Sequence, residues 1–225
     1  VNHTSVGAEN LFYNLRNLIV LESGAKAELI EWYNYAGAEK SRYFANVVNE
    51  VFVERGAEFR HCKMQDEAFK ANHVALNMVR VRGGGSYNAF CLQRGANIGR
   101  NETKVLLKEE QASAEVNAAY VMHGWATLDT TTDIEHLAPE TFSHQLVKGV
   151  VGGDAKGVFQ GKIHIAKHAV KTEGMQLHKA LLSRNWKFSP TTSGVRTAPP
   201  AANSTRKPCF ICNRAVSAGK KPNRF

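Results

Sequence analysis

The sequence has no apolar run long enough to cross a bilayer. Its longest, such as Leu18 to Leu21 and Tyr120 to Met122, fall far short of the roughly 20 residues that a membrane helix needs. No basic stretch and apolar h-region open the chain, and it begins at Val1 rather than Met, which leaves a lost targeting peptide open. A cytoplasmic location is the default expectation. Cysteine is scarce: Cys62, Cys91, Cys209 and Cys212 are too few and too scattered for a disulfide-stapled secreted scaffold. A reducing compartment suits them. Cys62 and Cys91 each lie in an apolar stretch and read as small buried hydrophobes. Cys209 and Cys212 have the spacing of half a zinc site, but no second pair of ligands lies nearby.

Acidic residues are missing from one region altogether. From Arg184 to Phe225 there are nine Lys or Arg and no Asp or Glu, whereas Val1 to Ser183 carries 20 basic and 20 acidic residues. The net charge of +9 therefore belongs to the tail, and the body is neutral. Proline follows the same division. Five of the six prolines lie in the tail (Pro190, Pro199, Pro200, Pro208 and Pro222). Such a composition buries too little apolar surface to offset chain entropy and reads as disordered. A boundary falls at Ser183, separating a folded body, 1–183, from a basic tail, 184–225.

What the body does contain is alternation. "RNLIVLESGAKAELIEWY", "NEVFVERGAEFRHCKMQ", "NETKVLLKEEQASAEVNAAYVMHG" and "GVFQGKIHIAKHAVKTEGMQL" place apolar residues at every second position and are rich in Val, Ile and aromatics, as strands are. The turns between them repeat. Glu22-Ser23-Gly24-Ala25 and Glu54-Arg55-Gly56-Ala57 share an E-x-G-A pattern, echoed at Arg94-Gly95-Ala96, Glu110-Gln111-Ala112 and Lys167-His168-Ala169. Gly24 and Gly56 are 32 residues apart, Gly56 and Gly95 39, within the range of stacked repeats. Units of strand, turn and strand that cannot bury an apolar face alone do so by stacking. The expected fold is an all-β solenoid, with a β-sandwich as the alternative. Amphipathic helices are few, and Asp66 to Val79 is compatible with helix or strand.

Candidate chemistry is thin. His123, His136, His144, His164, His168 and His178 invite a metal site. His164 and His168, however, are four apart, a spacing that joins two ligands on a helix but separates them by about 13 Å on a strand. These histidines read as surface or corner residues. Gly83-Gly84-Gly85 lacks the Lys-Ser/Thr of a phosphate loop and reads as a β-turn. Asp129, Asp133 and Glu135 read as solvated carboxylates rather than an acid and base pair. No Gly-x-Ser-x-Gly elbow is present. No catalytic, cofactor-binding or metal-ligating residue is assigned, and no enzyme is expected.

Read in order, "LRNLIVLESGAKAELIEWY", "EVFVERGAEFRHCKMQ", "DIEHLAPETFSHQLVKGVV" and "AKGVFQGKIHIAKHAVKTEGMQL" resemble the SufB/SufD family of iron–sulfur cluster assembly scaffolds. The resemblance runs through nearly all of the body and is closer to the SufD side. "HLAP…S…K", "GVFQGKI" and "A-x-KTEGMQ" are its most specific parts. It implies a right-handed parallel β-helix core, in agreement with the repeats. It also implies a non-enzymatic subunit that works with a SufB-like scaffold and a SufC-like ATPase, the cluster being assembled transiently by that complex rather than held by this chain.

The tail departs from the family. Where the family continues through a Cys-x-His-Gly-Ala-Thr region, this chain reads Arg184-Asn185-Trp186-Lys187-Phe188. Reading the third base of each codon with the first two of the next, Asn185 to Ser189 spell Leu-Glu-(Ile/Val)-(Phe/Leu). In the same displaced frame, Gly194 to Pro200 can encode Cys-Ala-His-Gly-Ala-Thr, and Asn203 to Asn213 can encode Leu-Asp-Glu-Glu-Ala-Leu-Phe-Tyr-Leu-Gln. A frameshift with a short deletion between Ser183 and Arg184 accounts for both. No family site residue carries over to 184–225, so a scaffold role is expected to be impaired and the partner contacts compromised. The open end of such a solenoid would expose strand edges and aggregate. Two other readings belong to different classes. A nucleic-acid-binding solenoid would use the basic tail, with steep salt dependence. A polysaccharide-processing β-helix would need clustered carboxylates on one face.

Overall fold

The chain alternates between two sheets, one strand to each side. We describe it from a computed structural model covering residues 1–6, 10–36 and 42–182, with the backbone of 209–211 and 216–217. One sheet, A, is built from Asn2–Val6 (β1), Lys26–Ala36 (β3), Glu58–Glu67 (β5), Ser86–Gly95 (β7), Ser113–Met122 (β9), Phe142–Val151 (β11) and Glu173–Leu182 (β13). The other, B, is built from Leu11–Leu21 (β2), Tyr43–Val53 (β4), Asn72–Val81 (β6), Ile98–Leu107 (β8), Thr127–His136 (β10) and Lys156–Ile165 (β12). Each strand pairs with the strand one coil away, and every pairing from β1 to β13 is parallel. The body is a two-sided parallel β-solenoid. An antiparallel sandwich is excluded.

The registers correct the repeat length. Leu11 lies beside Tyr43, Phe44 beside Asn72, Asn72 beside Ile98, Ile98 beside Thr127 and Thr127 beside Lys156. Each coil thus advances the chain by 26 to 32 residues. The 39-residue interval to Gly95 is not a repeat length, because Gly95 ends β7 and Ala96 follows it, on the opposite edge of the coils. The true successor of Gly24 and Gly56 is Gly84.

These three glycines have φ of 74°, 65° and 65°. An added Cβ would meet nothing within 4 Å at any of them, so backbone conformation rather than crowding selects glycine here. The turn closes by Ala25 N to Glu22 O, Ala57 N to Glu54 O and Gly85 N to Arg82 O, and successive turns are linked by Gly24 N to Arg55 O and Gly56 N to Gly83 O. Gln111, Glu140 and Lys171 occupy the left-handed position in later coils at φ 60°, 55° and 55°. The glycine repeat fades in sequence while its geometry persists.

Inside the coils, Val51, Val53, Val79, Val81, Val105, Leu107, Phe59 and Tyr87 form the main apolar cluster. Burying each such side chain contributes about 1.5–3 kcal/mol. Asp66 to Val79 contains no helix: it is the end of β5, a corner closed by Ala71 N to Ala68 O, and most of β6. Small residues suit that corner, and Ala68 and Ala71 are fully buried. The reading of 184–225 as a disordered tail lies outside the described residues except at two short strands. Cys209–Ile211 (β14) pairs antiparallel with β13, and Val216–Ser217 (β15) pairs parallel with β12. At those positions the chain is strand-paired.

Candidate functional site

Toward the edge opposite the E-x-G-A turns, the core becomes polar. The inner face of β5 carries Phe59, His61, Lys63, Gln65 and Glu67, all buried. Their ladder partners include Glu31 and Tyr33 on β3 and Tyr87, Cys91 and Gln93 on β7. Facing them from sheet B are Asn49, His73, Asn77 and Asn101.

Two linked networks result. In the first, the Glu31 carboxylate accepts from Tyr33 Oη at 2.9 Å and Asn49 Nδ2 at 3.2 Å, and lies 2.7 Å from His61 Nε2. His61 Nδ1 meets Tyr87 Oη at 3.1 Å. Asn49 sits in a ladder, accepting from Asn17 at 2.8 Å and donating to Asn77 at 2.9 Å, which in turn donates to Thr103 at 3.2 Å. In the second, Lys63 Nζ donates to Asn101 Oδ1 at 2.6 Å and to His73 Nε2 at 2.8 Å. His73 Nδ1 is 3.0 Å from Glu67. Asn101 donates onward to Gln65 at 3.1 Å. The Lys63 ammonium also lies 5.0 Å from the centre of the Tyr33 ring.

Burial and the neighbouring charges act together on these groups. Burial alone would raise Glu31, but the hydrogen bond and charge of His61, the charge of Lys63 and the Tyr33 hydroxyl outweigh it and hold the carboxyl at about 2. Burial lowers Lys63 against the opposing pull of Cys91, Glu31 and Glu67, and lowers His73 with help from the Lys63 charge. Burial pushes the Cys91 thiol up to about 11. A thiol held in that form is a poor nucleophile. The cluster has the groups of a reactive site but not the access. Its chemistry is charge pairing inside a β-core.

Sequence reasoning placed no site here. The two body cysteines part company: Cys91 faces the interior beside Lys63, whereas Cys62 lies on the outer face of β5 and is not a core residue. The histidines also divide. His123 and His168 are exposed; His136 is a buried corner residue at the end of β10, whereas His178 is buried within β13, against the reading as a surface or corner residue. His136 lies 2.8 Å from both Thr141 Oγ1 and Ser143 Oγ. Thr141 spends its own proton on Ala138 O at 3.1 Å. His136 therefore donates through Nδ1 and accepts through Nε2, and burial lowers it to about 4. The HLAP…S signature is thus a buried corner staple. His178 Nε2 meets Tyr120 Oη at 2.8 Å. Among the described residues, no group of three or more His, Cys, Asp or Glu is placed to hold a metal ion.

The triple glycine is a turn, and its Gly83 amide donates to the Glu109 carboxylate at 3.1 Å. Asp129 and Asp133 lie on the outer face of β10, near Arg100 at 3.9 Å and Lys162 at 3.3 Å. The outer face of sheet A is different. Ile30, Trp32, Met64, Phe90, Val121 and Val150 stand exposed on it. Among the described residues, no helix is long and apolar enough to cross a membrane.

The family model described as "SUF system FeS cluster assembly, SufBD core domain" matches residues 3–186. The chain belongs to the SufBD core family. A SufBD family iron–sulfur cluster assembly protein of Synechocystis sp. is 25% identical over 173 residues, which are 74% of this chain and 38% of the relative. The iron–sulfur cluster assembly protein SufD of Escherichia coli is 27% identical over 167 residues, 74% of this chain and 39% of the relative. The chloroplastic protein ABCI7 of Arabidopsis thaliana is 26% identical over 171 residues, 75% of this chain and 36% of the relative. The matched region thus spans under two fifths of each of these SufBD relatives.

Proposed function

We propose that this chain is a SufD-like scaffold subunit in iron–sulfur cluster assembly, acting beside a SufB-like scaffold and a SufC-like ATPase rather than as an enzyme. The observation that carries the reading is the SufBD core match along the solenoid body. The exposed apolar outer face of sheet A supports an interaction role, since contiguous apolar surface marks places where proteins meet. A cytoplasmic setting accompanies the reading, although the name of one relative is chloroplastic.

The reading includes a division of the chain. Residues 1–183 form the SufBD-like core, and 184–225 follow a shifted reading frame that removes the Cys-x-His-Gly-Ala-Thr region. The family match stops at residue 186, which supports a boundary at Ser183. Assembly of clusters by this polypeptide is then impaired, and no cluster ligand is assigned to it. Coexpression with a SufB/SufC-like pair tests both halves. The chain as it stands should copurify poorly, and a version with the displaced frame restored should copurify in stoichiometric amount. If neither associates, the scaffold reading fails. If both associate equally, the lost frame carries no contact.

A further inference from the structure

Three glutamines are wholly enclosed in the core: Gln65, Gln93 and Gln145 are at most 1% exposed. Each has its carbonyl oxygen held by a donor from sheet B: Asn101 for Gln65 at 3.1 Å, Thr130 for Gln93 at 2.7 Å, and Thr132 for Gln145. Those bonds fix the amide orientation. They leave Nε2 of all three without a protein acceptor. A buried donor left unmatched costs about 1–3 kcal/mol, and a repeated one is evidence of a guest rather than of tolerance.

Two of these amides converge. Gln65 and Gln93 are ladder neighbours on sheet A. Opposite them on sheet B is Gly99, itself the ladder neighbour of His73. A Cβ added at Gly99 would lie 3.2 Å from Gln65 Nε2 and 3.8 Å from Gln93 Nε2, and would overlap Leu128. Leu128 already fills that point, so glycine at 99 lets its side chain and both amides come together in one small region of the core. An acceptor of their protons must also suit Glu67, neither of whose carboxylate oxygens has a hydrogen-bond partner and which lies two residues beyond Gln65 on the same inner face.

We propose that this part of the core binds water, with at least one molecule accepting from Gln65 and Gln93 and donating to Glu67. Charge favours water over a small anion. Glu31 and Glu67 already balance Lys63 and any charge on His61, and His73 is neutral because its Nε2 accepts from Lys63. No positive charge is left over. Water also has the required mixture of two donors and two acceptors, and buried water characteristically makes about three hydrogen bonds to such groups.

A crystal structure of the 225-residue chain, with a parallel sodium bromide soak, tests this. The expected result is ordered water density at about 2.7–3.2 Å from Gln65 Nε2, Gln93 Nε2 and Glu67, without an anomalous bromide peak, and its loss in Gln93→Met. A bromide peak at that position overturns the neutral-guest assignment, and direct pairing of both amides with protein acceptors overturns the site. Should Gln93→Met not fold, deuterium relaxation dispersion on the unmodified chain supplies the second reading. It should reveal internal water with residence times beyond a microsecond, and the absence of any such water rejects the proposal.

Discussion

Lys63 Nζ lies 2.8 Å from His73 Nε2 in the centre of the solenoid. Because the ammonium must donate, the imidazole must be neutral, with its other nitrogen 3.0 Å from Glu67. Protonating His73 would set two like charges in direct contact. Burial depresses His73, His136 and His178 together, His136 to about 4. A depressed histidine binds fewer protons folded than unfolded, so its stability contribution is complete above about pH 6.5 and is lost as pH falls through the folded value. Urea midpoints should therefore fall from pH 7.5 to pH 4.5. Glu31, held at about 2, adds a further loss below its unfolded range. A midpoint that is flat or rises over pH 7.5 to 4.5 contradicts these protonation states.

Removing the lysine alone should be worse than removing the pair's chemistry altogether. Lys63→Met leaves Glu31 and Glu67 facing a core without their cation, and unpaired buried charge costs about 3–5 kcal/mol. The double variant Lys63→Met with Glu67→Gln should recover part of that loss. Additive losses in denaturant titration would show that the two do not share one network.

The same network makes a prediction about asparagines. Asn49 bonds Asn17, Asn77 and Glu31 in the interior, while Asn46 on the outer face of the same strand bonds Asn14 at 2.8 Å. Asn49→Ala should cost about 2–3 kcal/mol. Asn46→Ala should stay within about 0.5 kcal/mol. Equal losses, measured by urea unfolding, would mean that the buried ladder carries no special weight.

How much of this was written in the sequence depends on which strand is asked. Where Val47, Val51 and Val53 alternate with Glu50 and Val48, the inner face announces itself. In "EFRHCKMQDE" it does not. Local alternation would turn Cys62 and Met64 inward, yet the register with Ala27 and Tyr87 places Phe59 inside, and Lys63, Gln65 and Glu67 follow by parity. The neighbouring coils decide the face, so the polar core was hidden from any reading of β5 alone. Conversely, the turn repeat was legible because left-handed backbone is written directly as glycine at Gly24, Gly56 and Gly84. It misled where Gly95 writes the same conformation on the other edge, and in the last coil, where Lys171 rather than His168 takes the left-handed position.

That turn position gives a test in which contacts play no part. Gly56→Ala should cost about 1 kcal/mol from left-handed backbone alone, since nothing crowds an added Cβ. Gln111→Gly, at φ 60° in a later coil, should be neutral or stabilising, because it relieves the same conformation. Thermal midpoints moving in the same direction for both variants would show that φ does not govern these corners.

The outer face of sheet A carries large exposed apolar side chains. Phe90 and Met64 are 43% and 37% exposed and sit in adjacent coils, in a field that also includes Trp32 and Ile30. Replacing them singly removes little that the fold uses, because their inner-face neighbours carry the core. Met64→Ser with Phe90→Ser should leave the unfolding midpoint within about 0.5 kcal/mol and should reduce self-association measured by light scattering. If association instead persists and is abolished by Leu18→Lys on β2, the exposed strand edge rather than the sheet face is the adhesive surface. A double variant that unfolds would place Phe90 and Met64 in the core, against their exposure.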